Sequence, residues 1–368
     1  MPKNIVICCD GTDNKLTINK NTNVVHLFSC LQISENQVTY YHPGVGTIAP
    51  NGIRNWIARK WYLIKDLISA SSIEDNVIDA YIFLMNNYQE GDKVYLFGFS
   101  RGAYTVRMLS GLIEMFGLLH KGNEGHLRYV LEIYSKGDKI FEIANAFKAR
   151  FSRKINIHFI GVWDTVVAAG GLISFYKSFP YSRSLGIAKT VRHAVAIDEK
   201  RKHYDYYEVS ELHKDCKEVF FAGVHSDVGG SYPNEGLSKV ALEWMLGEAS
   251  NKDLLLNQEK VNRYVYGVKS NYQKPDYLQS IHNSLTLSFL LFDFIPRLRF
   301  KKESSFFQIK IDYRLWPKRK IKDGSSIHET VFKKRKETNY SPTNLNSNDT
   351  VFNSIINLQI SYKDDFSN

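Results

Sequence analysis

Cysteine is scarce in this chain and follows no pattern. Cys8 and Cys9 adjoin inside an apolar run, while Cys30 and Cys216 stand alone. No pair has the spacing of a metal site or a disulfide framework, so neither is expected, and synthesis in a reducing compartment, the cytoplasm, is. No charged-then-apolar leader opens the chain, so no general secretory signal is expected. Export, where it occurs, would need a dedicated apparatus. The strongly apolar run from Ser284 to Ile295 is too short to span a bilayer and is interrupted by Asp293, so no transmembrane helix is expected. There is no internal repeat, no low-complexity tract and no named nucleic-acid motif, although the net charge is +10. Nucleic acid is therefore not the expected partner.

The residues that are present suit a folded enzyme. Hydrophobic residues make up 43% of the 368 positions and aromatics 13%, enough for one large domain or two modest ones with a well-lined core. Apolar strands near residues 4–9 and 37–42 alternate with helical stretches near 56–68, 73–87 and 124–149. That order predicts an α/β fold of the α/β-hydrolase type: a mostly parallel sheet with helices on both faces, plus insertions and a C-terminal cap or lid. Residues 1–250 are expected to form the catalytic core and residues 251–368 the cap or extension.

The densest signal is Val94-Tyr95-Leu96-Phe97-Gly98-Phe99-Ser100-Arg101-Gly102-Ala103. A strand runs into Gly-x-Ser-x-Gly and a helix-compatible segment, Ala103 to Phe116, follows at once. That is the context of a nucleophile elbow, in which a strained serine is held at the positive end of the next helix. The plainer reading is an ordinary strand-to-helix turn. A serine needs a base and an orienting acid, which in such hydrolases follow in the order serine, acid, histidine. The run 155–163 reads as a strand ending at Asp164, and the run 216–224 as another ending at His225. All three residues then fall at strand C-terminal ends, the edge where open α/β sheets bind ligands.

Each partner has a bland alternative. Asp164 could cap the segment after its strand, and His225 could be one of eleven unremarkable histidines. Asp227 rivals Asp164 as the acid, but stands so close to His225 that loop support suits it better. The first strand ends in Asp10-Gly11-Thr12-Asp13, a glycine loop at the same edge. The backbone N–H of Arg101 and that of Gly11 or Thr12 are the expected oxyanion donors. Asp10, Asp13 and Asp227 could in principle surround a hard cation, but nothing spaces them like a metal loop, so no metal or other cofactor is expected.

Five segments in order carry a resemblance: Cys9-Asp10-Gly11-Thr12-Asp13-Asn14, Gly98 to Ala103, Gly161-Val162-Trp163-Asp164-Thr165-Val166, Ala196-Ile197-Asp198-Glu199-Lys200-Arg201 and Phe221 to Gly230. Together, over about residues 4–240, they resemble the α/β-hydrolase domain family that includes the first class of type VI secretion lipase effectors. The resemblance implies a phospholipase with its triad at Ser100, Asp164 and His225. It also implies a secretion apparatus and an immunity protein as partners. Ile327-His328-Glu329-Thr330-Val331 resembles a further family segment and makes His328 the second-choice histidine.

Beyond residue 280 the apolar run is followed by Arg297, Arg299, Lys301 and Lys302, then by Lys318-Arg319-Lys320 and Lys333-Lys334-Arg335-Lys336. An apolar segment flanked by cations suits an element that dips into an anionic membrane surface. A buried core helix with a solvated charged end is the plainer account. The expected substrate is a lipid or other carboxylic ester, with a soluble ester or a non-catalytic binding role on the same fold as the alternatives.

Overall fold

A computed structural model describes residues 2–11, 20–44, 70–136, 141–166, 179–201, 204–209, 211, 213–285, 297–303, 306–312, 317–345 and 349–353. Its strands are β1 (Asn4–Cys9), β2 (Gln37–His42), β3 (Lys93–Phe99), β4 (Leu118–Leu119), β5 (Ser152–Arg153), β6 (Ile157–Trp163), β7 (Ala188–Ala196), β8 (Cys216–Phe221), β9 (Arg297–Glu303), β10 (Phe306–Asp312), β11 (Ser326–His328) and β12 (Thr350–Phe352). The helices are α1 (Asn23–Cys30), α2 (Ala70–Asn87), α3 (Arg101–Phe116), α4 (Leu127–Ser135), α5 (Phe141–Phe151), α6 (His225–Gly229), α7 (Gly236–Ser250), α8 (Gln258–Tyr264) and α9 (Glu329–Glu337).

Eight strands form one sheet in the order β12-β11-β8-β7-β6-β3-β1-β2, and every pairing in it is parallel. The period-2 alternation of side chains explains why both faces are covered. Ile5, Ile7, Val94, Leu96, Ile160 and Val162 point to one face, where α2, α3, α4 and α5 pack. Val6, Cys8, Tyr95, Phe97, Phe159 and Trp163 point to the other, under α1, α7 and α8. A third cluster, with Val195, Phe220, Ile321, Ile327 and Val331, closes the edge towards β11. The α/β expectation is met.

Chain order reverses at β1, which pairs with β2 on one side and β3 on the other. From β3 the sheet grows in a single direction through β6, β7 and β8, so four successive C-terminal ends line one edge. That edge is where the candidate residues gather.

Several finer expectations differ. The helical stretch near 124–149 is a 3-10 turn at Glu124–His126 followed by two separate helices. Leu127, Val130, Tyr134 and Phe147 are buried in the core cluster on that face, packed with α2 and α3, so this stretch is a covering layer. Residues beyond 250 supply β11 and β12 to the same sheet, so the C-terminal third is not a cap alone. Arg297, Arg299, Lys301 and Lys302 lie on β9, which pairs antiparallel with β10. The expected helix at 56–68, Thr12 and Asp13, and most of the apolar run after Leu285 lie outside the described residues. Among the described residues, no helix is long and apolar enough to cross a membrane.

Candidate active site

One residue, Ser100, separates β3 from α3. Its backbone sits at φ 57°, ψ −120°, a conformation that costs a non-glycine residue about 1–3 kcal/mol and persists only when its surroundings enforce it. The flanking glycines show how tight the turn is. A Cβ on Gly98 would lie 2.5 Å from the Gly102 carbonyl oxygen, and one on Gly102 would lie 2.2 Å from that of Cys9. The Ser100 N–H donates to the Trp163 carbonyl (3.1 Å), which ties the turn to the end of β6.

Asp164 follows β6 directly and, like Ser100, has a positive φ (38°). Its backbone N–H donates to the Ala194 carbonyl of β7 (2.7 Å). The next residue, Thr165, donates its N–H to His193 Nε2 (3.1 Å), and His193 Nδ1 faces Glu218 Oε2 (2.8 Å). A buried imidazole–carboxylate pair inside the sheet thus shapes the turn that presents Asp164.

His225 opens α6, four residues past β8. Its Nε2 lies 2.8 Å from Ser100 Oγ and its Nδ1 lies 2.5 Å from Asp164 Oδ2. The imidazole is flanked by the rings of Phe99, with centroids 4.6 Å apart, and Tyr204, at 5.0 Å. Its backbone N–H donates to Glu199 Oε2 (3.1 Å). Glu199, just past β7, also accepts from Ser284 Oγ (3.0 Å) and pairs with Arg201 (2.8 Å).

Electrostatics assign the protons. Burial alone would raise the Asp164 carboxyl, but the Arg319 guanidinium and the His225 hydrogen bond outweigh it and hold the group well below the usual carboxylate range. Burial lowers His225 below its ordinary 6.5, against the upward pull of Asp164. The arrangement at neutral pH is therefore an ionised Asp164 and a neutral imidazole. Nδ1–H donates to Asp164, which leaves Nε2 to accept from the Ser100 hydroxyl. An imidazole so placed can take the proton as the oxygen attacks.

The other expected residues fall in different places. Asp10 is buried; its Oδ2 accepts from Thr22 Oγ1 (2.7 Å) and Tyr41 OH (2.9 Å). Its Oδ1 accepts the Gly11 N–H at 2.6 Å, so in this arrangement that N–H serves Asp10 and is not offered to a substrate oxygen. Asp227 accepts from the Val224 N–H (3.1 Å) and pairs with His282 (2.6 Å), which makes it a support for the His225 loop. His328 stacks on Phe221 with centroids 4.5 Å apart and caps α9, accepting from the Thr330 N–H. Burial lowers it to about 4, and it has no part in the Ser100 constellation. A cleft of about 280 Å³ borders the site through Glu199 and Val224 but is not lined by Ser100. Arg319 is the residue that sequence reasoning missed.

Comparison with known proteins adds independent information. Residues 3–248 match the family described as "T6SS, Phospholipase effector Tle1-like, catalytic domain". An uncharacterized protein of Saccharomyces cerevisiae, YEL023C, is 35% identical in a match 216 residues long that covers 54% of this chain and 31% of that relative. The chain thus spans less than a third of that relative. Two solved structures are similar, each at 18% identity. A crystal structure of an uncharacterized protein from Pseudomonas aeruginosa has a TM-score of 0.44, with 75% of this chain and 49% of that one covered. The Tle1 effector bound to the VgrG spike of the type VI secretion system has a TM-score of 0.35, with coverage of 63% and 51%. The matched span holds the β1 loop, the serine turn, the Asp164 turn and the His225 helix in one stretch, and the chain belongs to the Tle1-like phospholipase effector catalytic-domain family.

Proposed function

We propose that the protein is a serine hydrolase that cleaves a carboxylic ester of a phospholipid. The observation that carries this reading is the continuous line from Asp164 through His225 to Ser100, at 2.5 and 2.8 Å. Ser100 Oγ attacks the ester carbonyl carbon while its proton passes to His225 Nε2. The imidazolium, stabilised by Asp164, returns that proton to the departing alcohol oxygen and leaves an acyl-serine. Water, activated by the same imidazole, then releases the fatty acid and restores the hydroxyl. The Arg101 backbone N–H, at the start of α3, is one oxyanion donor. The loop after β1 supplies the other, through Thr12 or through Gly11 once its N–H leaves Asp10.

Phospholipid is the proposed substrate because the family's described activity is phospholipase and because the basic run Arg297, Arg299, Lys301 and Lys302 in the sequence suits an anionic surface. The family description, which names a type VI secretion system effector, supports export by such an apparatus; cytoplasmic synthesis, antibacterial action and an immunity protein as partner are proposed along with it.

A fluorophosphonate probe tests the site. Labelling should fall on Ser100 and vanish in Ser100→Ala with the fold intact; undiminished labelling in that variant would sink the reading. Mass spectrometry of products from mixed anionic vesicles tests the substrate. Reversing Lys301 and Lys302 together should weaken vesicle binding, at about 1 kcal/mol for each basic residue near the surface. Turnover of a short soluble ester should stay unchanged. Ester turnover without any lipid product would move the assignment to a soluble-ester hydrolase.

A further inference from the structure

The family match ends at residue 248, yet the cation that meets Asp164 comes from residue 319. We propose that Arg319 is a positioning residue for the Ser100–His225–Asp164 site, and that the C-terminal segment completes the site by supplying it. The inference rests on the catalytic reading given above and deepens it.

The geometry is bidentate. Arg319 Nη1 donates to Asp164 Oδ1 (2.5 Å) and Nη2 to Asp164 Oδ2 (2.9 Å). The same two nitrogens donate to the Ala196 carbonyl (2.9 Å) and the Tyr204 carbonyl (2.5 Å). Each terminal nitrogen of the fork is thus engaged twice, once by the carboxylate and once by a carbonyl at the β7 end or in the loop that follows it. The segment is anchored in turn: Asn344 Nδ2 donates to the Arg319 carbonyl (3.2 Å) and to the Ile197 carbonyl (3.0 Å). With the His225 Nδ1–H and the Ala196 N–H (3.0 Å), Asp164 has four donors on two oxygens. A planar fork fixes the rotation of a carboxylate in a way that a single ammonium cannot.

The charge matters as much as the shape. Asp164 is fully buried, and a lone carboxylate there would take up a proton or draw one onto its histidine. Among the described residues, the charges that weigh most on His225 are those of Asp164, Arg201 and Glu199. Arg201 and Glu199 form their own pair at 2.8 Å. Those acting on Arg319 are Asp164, Glu199 and Asp205. Arg319 is therefore the cation that answers Asp164 among the described residues. Removing it must raise the proton affinity of the His225–Asp164 pair as a unit, whichever member holds the proton. The base would then be protonated, and lost, at a higher pH than in the wild type.

The test uses the full chain as wild type, Arg319→Met and Arg319→Lys, with two readouts. One is the acid limb of kcat/KM on a short soluble ester, and the other is NMR titration of the His225 ring. In Arg319→Met both should move up by about one pH unit or more, so that kcat/KM below the limb falls ~10-fold for each unit. Arg319→Lys should hold the limb near its wild-type position but lower kcat, because charge returns without the fork. Added guanidinium should shift Arg319→Met back towards wild type. A folded Arg319→Met whose limb and titration stay in place would overturn the proposal, since a purely structural arginine would lower amplitude alone. Should Arg319→Met fail to fold, an Arg319→Lys protein indistinguishable from wild type in kcat would overturn it instead. The NMR titration does not depend on turnover. Loss of Ser100 labelling in the wild type would fault the catalytic reading, while an unmoved His225 titration would fault this one.

Discussion

Two regions of the molecule meet at the site and contribute different things. The first, up to about residue 230, supplies the groups proposed to react: Ser100, Asp164 and His225 each stand just past a strand of one parallel sheet. The second, from about 280 to 345, supplies none of them but holds the first in place. Arg319 grips Asp164, His282 grips Asp227 beside His225, and Ser284 donates to Glu199, which accepts the His225 N–H. Reactive groups are placed by strand ends, which are local features. The charge of Asp164 is balanced by Arg319, 155 residues away along the chain, which is not.

The comparison predicts unequal losses. His225→Ala should abolish turnover, since among the described residues His225 is the base hydrogen-bonded to Ser100 Oγ. Asp164→Asn should keep the fold yet lower kcat by about 10⁴-fold, the size seen when a triad acid can no longer fix its histidine's tautomer. Arg319→Lys should cost much less. Steady-state kinetics on a soluble ester would rank them. If Arg319→Lys lost as much as Asp164→Asn, the division between reacting and supporting regions would not hold.

The difference in kind also governs what could be read from the sequence. Each proposed catalytic residue ends an apolar run, so position and chemistry are visible together. β7 was not visible because Thr190-Val191-Arg192-His193 interrupts the apolar pattern. In the fold Arg192 is buried against Glu248 and Asp215, and His193 against Glu218, so the polar groups are satisfied inside the sheet. β11 and β12 have three residues each, too short for periodicity. Arg319 sits between Lys318 and Lys320, where a charge run normally means solvent; only the tertiary structure shows that the middle cation turns inward. The end of β1 at Cys9 was legible, but the bond from the Gly11 N–H to Asp10 was not.

A second prediction concerns the sheet side alone. Gly102→Ala should place a Cβ 2.2 Å from the Cys9 carbonyl oxygen and 2.4 Å from that of Asp10. Backbone cannot yield as a flexible side chain can, so a loss of about 1–3 kcal/mol or more is expected. Gly125→Ala, which meets nothing within 4 Å, is the matched control and should change little. Chemical denaturation of the two variants measures the contrast. Equal stability would mean that the serine turn is not as tight as the Gly98–Gly102 contacts imply.

The smallest effect tests the residue that both regions share. Glu199 is buried, and burial would raise its carboxyl, but Arg201, Arg319 and His225 more than offset this and bring it down to about 2 from an ordinary 4.5. The folded value lies below the unfolded one, so between them the unfolded chain binds more protons. The stabilisation is therefore complete above about 4.5 and is lost as pH falls towards about 2. Glu199→Gln keeps the shape and removes the titration. Its stability deficit against wild type should thus be largest near neutrality and shrink as pH drops below 5. Denaturation at several pH values reads the difference between the two curves, so other carboxylates, such as Asp164 and Asp215, cancel. A deficit that stays constant with pH would show that Glu199 holds the His225 helix and Ser284 by hydrogen bonding alone. The two regions would then be joined there by geometry and not by charge.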